Sequence, residues 1–152
     1  MVVSKPPNEW WVKISDFGIS KREEEGMNSL STAKGTIGYL APELLGFMAK
    51  RSTDHKAADI WALGETTVVI LTHQPTFEHP SAFFQYCSGI SAFPTQTLKS
   101  HDISDIGCNF IKSLMTIQPE DRKNAEEGLK DPWFNAQQSQ ESQVIHVSAS
   151  ST

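Results

Sequence analysis

The segment from Lys56 to Thr72 constrains the fold more than any other part of the chain. Ile60, Leu63, Thr67 and Ile70 or Leu71 recur at helical spacing, and Trp61, Ala62, Val68 and Val69 fill much of the remaining circumference. A helix that is apolar nearly all round belongs in the middle of a domain and expects neighbours on every side. The 152 residues, 38% of them hydrophobic, make one domain's worth of chain and can bury a core around such a helix. The longest clean apolar run inside it, Val68-Val69-Ile70-Leu71, is far too short to span a bilayer.

The rest of the chain supplies candidate neighbours. Val2-Val3-Ser4 and Trp11-Val12-Lys13-Ile14-Ser15 favour β structure, with Val12 and Ile14 alternating with Lys13 and Ser15 as in a half-buried strand. The turn-rich Lys5-Pro6-Pro7-Asn8-Glu9 between them predicts a short hairpin. A two-stranded hairpin alone is marginal in water, so further elements upstream of Met1 are expected to cover it. Residues from about Lys21 to Lys34 are polar and rich in Ser and Thr, with an acidic run at Glu23-Glu24-Glu25. They read as a long exposed loop, and such loops are often functional. Pro42 opens a short helix, Glu43-Leu44-Leu45, that stops near Gly46. Pro75, Pro80 and Pro94 punctuate an irregular stretch with a short helix near Ser81 to Cys87. Ser104 to Met115 is amphipathic, with Ile106, Phe110, Ile111 and Leu114 on one face, and Asn124 to Leu129 is another short helix. Residues 1–135 thus form the folded part, and residues 136–152, rich in Gln and Ser, have the composition of a disordered tail.

Charge and composition narrow the partners. The formal net charge is -5, from 13 basic and 18 acidic residues, with no basic stripe, so nucleic acid is not expected as a partner. Cys87 and Cys108 are far apart, and the five histidines have no ligand spacing, so they predict no metal centre. The first residues carry no apolar signal-peptide core. The expected location is cytoplasmic or nuclear, with no membrane contact.

Five short motifs stand in a fixed order. Asp16-Phe17-Gly18 directly follows the second strand, and Ala41-Pro42-Glu43 begins twenty-five residues beyond Asp16. Gly35-Thr36-Ile37-Gly38-Tyr39-Leu40 precedes the latter. Asp59-Ile60-Trp61-Ala62-Leu63-Gly64 opens the central helix, and Pro119-Glu120-Asp121-Arg122 precedes a short helix and Trp133-Phe134. Taken singly each has a plain structural reading. Asp16 sits in an Asp-x-Gly turn after a strand, Glu43 and Arg122 are charges at helix ends, and Asp59 is a first-turn carboxylate favoured by the helix dipole.

Taken together, the motifs resemble the eukaryotic protein kinase family over about residues 2 to 134. The Gly35-Thr36-x-x-Tyr39 spacing before Ala41-Pro42-Glu43 resembles serine/threonine rather than tyrosine kinases, and Asp16 to Lys21 resembles calcium/calmodulin-dependent and checkpoint-type kinases. The resemblance implies a mainly α fold, a partial kinase C-lobe with a short N-terminal β-hairpin and a long activation loop. It implies that ATP is the phosphoryl donor and that Asp16 is a ligand of Mg²⁺, a hard cation that takes carboxylate oxygen. Ser15 would floor the nucleotide pocket beside Phe17 and Gly18. Thr32, with Ser29 and Ser31 as neighbours, stands where many family members carry an activating phosphate. Gly35 and Thr36 would shape the pocket for the substrate residue after the phosphoacceptor. Glu43 and Arg122 would form a buried ion pair, Trp61 would lie in the core, and Asp59 would be buried and accept backbone N–H bonds from the catalytic loop.

A kinase needs more than this. The chain has no Gly-rich loop, no strand Lys pattern and no His-Arg-Asp catalytic loop. The catalytic base is expected upstream of Met1, so no catalytic residue lies in the chain itself. Without upstream neighbours, Asp59 would lose its donors and the central helix would expose an apolar patch. The chain therefore reads as part of a serine/threonine kinase, inactive alone, with a protein substrate or regulatory protein as partner and a missing N-terminal half. The alternative is a non-catalytic C-lobe interaction module acting as a decoy or dominant negative.

Overall fold

The computed structural model describes residues 2–4, 11–15, 37–46 and 55–134. The chain divides into two units, Met1–Thr32 and Ala33–Thr152. In the first, β1 (Val2–Ser4) pairs antiparallel with β2 (Trp11–Lys13), with Val2 opposite Lys13, Val3 opposite Val12 and Ser4 opposite Trp11. The predicted hairpin is present, but β2 is shorter than expected. The last rung is Val2–Lys13, and Ile14 beyond it is 83% exposed rather than half-buried in register with Val12.

The second unit is helical. The 3-10 turns Ile37–Tyr39 and Pro42–Leu45 lead to α1 (His55–Thr72), α2 (Pro80–Cys87), α3 (Thr95–Lys99), α4 (Asp105–Leu114), the 3-10 turn Pro119–Asp121 and α5 (Ala125–Leu129). Local chemistry sets the boundaries. Ser104 caps α4 by accepting from the Gly107 N–H. Asn124 and Glu127 form a reciprocal capping box at α5, at 3.0 and 2.9 Å. Gly46 closes the Pro42–Leu45 turn in the left-handed region, its N–H donating to the Pro42 carbonyl. The helix α3 adds to the elements expected from the sequence; Pro94 sits at its N-cap and the first turn follows directly.

The buried repeat expected on α1 is corrected, and the helix is covered on one side only. α1 buries one stripe only: Ala57, Trp61, Gly64, Glu65, Val68 and Thr72. Leu63 and Ile70, expected in the buried repeat, are 50% and 58% exposed, and Leu71 is exposed as well. The reason is close approach. α4 and the residues after it pack along the Gly64 side, where an added Cβ would fall 2.5 Å from Met115 Cγ. Only glycine lets the two backbones come that near. The exposed Leu63, Ile70 and Leu71 agree with the expected apolar patch. A similar correction holds for α4. Phe110, Ile111 and Leu114 are buried, but Ile106 is exposed. Gly107 takes the inner place instead, with Ile103 and the Trp133 indole against it at a distance a side chain could not accommodate.

An aromatic cluster fills the core between α1 and α2. Trp61 meets Phe83 edge-on at 6.0 Å, Phe77 stacks on Tyr86 at 5.3 Å, and Phe93 meets Tyr86 edge-on at 5.7 Å. The Tyr86 hydroxyl donates to the Met115 carbonyl at 2.9 Å, and burial pushes its pKa up to about 12. Complete burial of Trp61, Leu98, Ile111 and Leu114 contributes about 1.5–3 kcal/mol per side chain.

Candidate functional site

The Pro42–Leu45 turn presents Glu43 inward, and the Pro119–Asp121 turn delivers Arg122 to meet it. Arg122 Nη1 donates to Glu43 Oε1 at 2.9 Å and Nη2 donates to Oε2 at 3.1 Å. Both side chains are buried, at 0% and 2% exposure. The remaining donors are also used. Nη1 donates to the Ala57 carbonyl on α1, Nε to the Thr116 carbonyl at 3.0 Å, and Nη2 to the Ile117 carbonyl at 3.3 Å. All five guanidinium N–H groups thus have an acceptor. The Trp61 ring lies against the guanidinium, with Cζ 5.2 Å from its centroid. This junction ties residues 37–46 to α1 and to the loop before α5.

Around it lie two groups that raise the chemical cost of ionisation. Burial pushes the Cys87 thiol up to about 11, and the Glu43 carboxylate adds to the push. Glu65, one turn beyond Trp61, is buried; its Oε1 accepts from the Thr76 N–H at 3.1 Å, and burial raises its pKa against the opposing effect of Thr76.

The expected site residues divide three ways. The structure brings Glu43 and Arg122 together as a pair and sets the Trp61 ring against the guanidinium. Asp59 lies on α1 and is exposed in this chain. Ser15 is described and exposed. Asp16, Phe17, Gly18, Ser29, Ser31, Thr32, Gly35 and Thr36 lie outside the described residues, as do the whole polar loop and the tail. Among the described residues no group of acidic, His or Cys side chains could hold a metal ion. Asp16 has the oxygen donor that Mg²⁺ takes, but one carboxylate does not make a site. An open cleft of about 460 Å³ lined by Ser113, Asp121, Lys123, Glu127 and Asp131 contains none of the expected site residues, and its Lys123 is paired with Asp131. The sequence reading missed the Ala57, Thr116 and Ile117 carbonyls, which carry no residue-type signal, and Glu65, whose charge in the middle of an apolar segment was the available sign.

Comparison with known proteins agrees with this geometry. A family model described as the protein kinase domain matches residues 1–134. The chain is 36% identical over 133 residues to the serine/threonine-protein kinase cds1 of Schizosaccharomyces pombe, covering 84% of this chain and 28% of that protein. It is 35% identical over 127 residues to calcium/calmodulin-dependent protein kinase type 1 of Caenorhabditis elegans, covering 82% and 34%. Among solved structures, residues 1–466 of Rad53 in complex with AMP-PNP superpose with a TM-score of 0.54 at 30% identity, covering 67% of this chain and 26% of that one. The chain spans about a quarter to a third of the length of these relatives.

Proposed function

Because the chain belongs to the protein kinase domain family, we propose that it is the activation segment and helical C-lobe of a serine/threonine protein kinase of checkpoint or calcium/calmodulin-dependent type. The observation that carries this reading is the buried Glu43–Arg122 pair, set between the segment that begins at Asp16-Phe17-Gly18 and the final helices. The family reaction is phosphoryl transfer from ATP to a Ser or Thr hydroxyl of a protein. Asp16 would hold Mg²⁺, which neutralises phosphate charge when bound; Ser15 would floor the nucleotide pocket, with Phe17 and Gly18 setting the reach of Asp16. Gly35 and Thr36 would shape the substrate pocket. Phosphate on Thr32, Ser29 or Ser31 would order the loop by pairing with basic side chains.

The 152 residues contain no Gly-rich loop, strand Lys or catalytic loop. Phosphoryl transfer is mostly positioning and electrostatics, so this chain alone supplies too few parts to transfer phosphate. Its working partner is then the N-terminal half of a kinase domain, with a protein substrate or regulator, in the cytoplasm or nucleus. A second reading, a non-catalytic C-lobe module that sequesters a kinase partner, is favoured by one observation: Leu63, Ile70 and Leu71 expose an apolar face of α1. The test is phosphotransfer from radiolabelled Mg-ATP to a Ser/Thr substrate protein. The pure chain should give none, and the chain joined to a kinase N-terminal half carrying a catalytic loop should give transfer that Asp16→Ala abolishes. Transfer by the pure chain would overturn the assignment of the missing parts.

A further inference from the structure

Two buried side-chain polar atoms among the described residues have no hydrogen-bond partner: Trp61 Nε1 and Glu65 Oε2. They are complementary, one a donor and one an acceptor when charged. They are also four positions apart on α1, which places both side chains on one face. Glu65 is 1% exposed, and a carboxylate buried with half of its acceptor capacity unused is costly.

We propose that Glu65 is a proton-operated joint between α1 and the residue 37–45 segment: a neutral carboxylic acid when the core is closed, and a carboxylate that captures the Trp61 indole N–H when the proton is lost to solvent. Three observations on the page support the coupling. Glu65 Oε1 lies 3.9 Å from where a Cβ on Gly38 would stand, so the carboxyl packs under the Ile37–Tyr39 turn. Its other oxygen contact, the Thr76 N–H, lies in the loop after α1, and the Thr76 hydroxyl also reaches Met115 Sδ at 3.7 Å. Trp61 is the ring on which the Arg122 guanidinium rests. A pull on the indole by ionised Glu65 is therefore felt at the Glu43–Arg122 junction.

The ionisable groups on the described surrounding elements are Tyr39 and Glu43, Tyr86 and Cys87 on α2, Asp105, Cys108 and Lys112 on α4, Arg122 with Glu120 and Asp121 on the turn before it, and His73, Glu78 and His79 in the loop that carries Thr76; His55, Lys56 and Asp59 lie on α1 itself. Among the described residues none forms an ion pair with Glu65, and the Arg122 donors are taken by Glu43 and three carbonyls. Desolvation is the main cause of the raised pKa.

The sign follows from proton binding. The unfolded carboxyl ionises near 4.5 and the folded one higher. Between those values the folded state binds more protons, so stability is full below 4.5 and falls as pH rises to the folded value. The experiment is urea unfolding of the full chain from pH 4 to 8, with Trp fluorescence followed in parallel under native conditions. Wild type should lose midpoint across this window and show a fluorescence change with the same pH midpoint. Glu65→Gln, a neutral isostere, should lack both. If that variant fails to fold, the wild type decides: the Glu65 carboxyl ¹³C resonance and the Trp61 indole N–H resonance should titrate together, with a midpoint above 4.5. Titration near 4.5, or equal pH dependence in wild type and Glu65→Gln, would overturn it.

Discussion

Arg122 holds Glu43 through both terminal guanidinium nitrogens, across 79 positions of sequence and with both side chains out of water. The pair is also anchored to α1 through the Ala57 carbonyl and the Trp61 ring. Its energetic meaning is asymmetric. Two charges removed from water gain little net stability from each other, but one of them left alone is expensive.

Glu43→Ala or Arg122→Ala should therefore each destabilise the chain by about 3–5 kcal/mol. The double replacement Glu43→Leu with Arg122→Met should recover much of that loss, because no unpaired charge remains. A double-mutant cycle by urea unfolding, with Glu43→Leu and Arg122→Met as its single variants, checks this; losses that simply add would show the pair to be uncoupled.

Gly64 should not tolerate a side chain. The Cβ of Gly64→Ala would lie 2.5 Å from Met115 Cγ and 3.2 Å from Leu114 Cβ. Overpacking of this kind costs about 1–3 kcal/mol, against the small gain alanine makes in an ordinary helix. The unfolding midpoint of Gly64→Ala should fall, and trimming Met115 to Ala in the same chain should return part of it.

The end of α1 offers a stabilising change. His73 adopts φ 58°, and its N–H donates to the Val69 carbonyl at 2.9 Å, the left-handed cap that glycine takes without strain. His73→Gly should raise stability by about 0.5–1 kcal/mol. Thermal unfolding measures it, with an unchanged or lower Tm as the contrary result.

Cys87 should be a slow nucleophile. Its thiol is raised from 9.0 to about 11 by burial and by the Glu43 charge. Alkylation by iodoacetamide, read by peptide mapping, should keep accelerating with pH past 9, whereas the denatured chain levels off near 9. The folded state binds the extra proton between those values, so stability should fall as pH rises from 9 towards 11.

Much of the architecture was legible locally. The hairpin strands, α1, α2, α4 and α5 lie within a few residues of where periodicity, prolines and caps put them, because those signals act over one or two turns. The Glu43–Arg122 pairing was legible only through the family resemblance, since 79 positions of chain carry no local sign that two charges meet. α3 escaped notice because five residues are too few to show a period and Pro94 supplies no side-chain cap, whereas the equally short α5 is announced by its Asn124–Glu127 capping box.

What the sequence by itself determined is therefore the order of α1, α2, α4 and α5, the turn that Pro42 opens and Gly46 closes, and the motif order that resembles a kinase C-lobe. What only the tertiary structure decided is which side of α1 faces in. The helix carries apolar residues around most of its circumference, so its pattern favours no single phase. The choice falls to Gly64, which admits Met115, and to Glu65, which finds the Thr76 N–H only after the chain has turned back. Those contacts outweigh the exposure of Leu63 and Ile70, because close packing and a satisfied polar atom depend on partners that a helical period does not record.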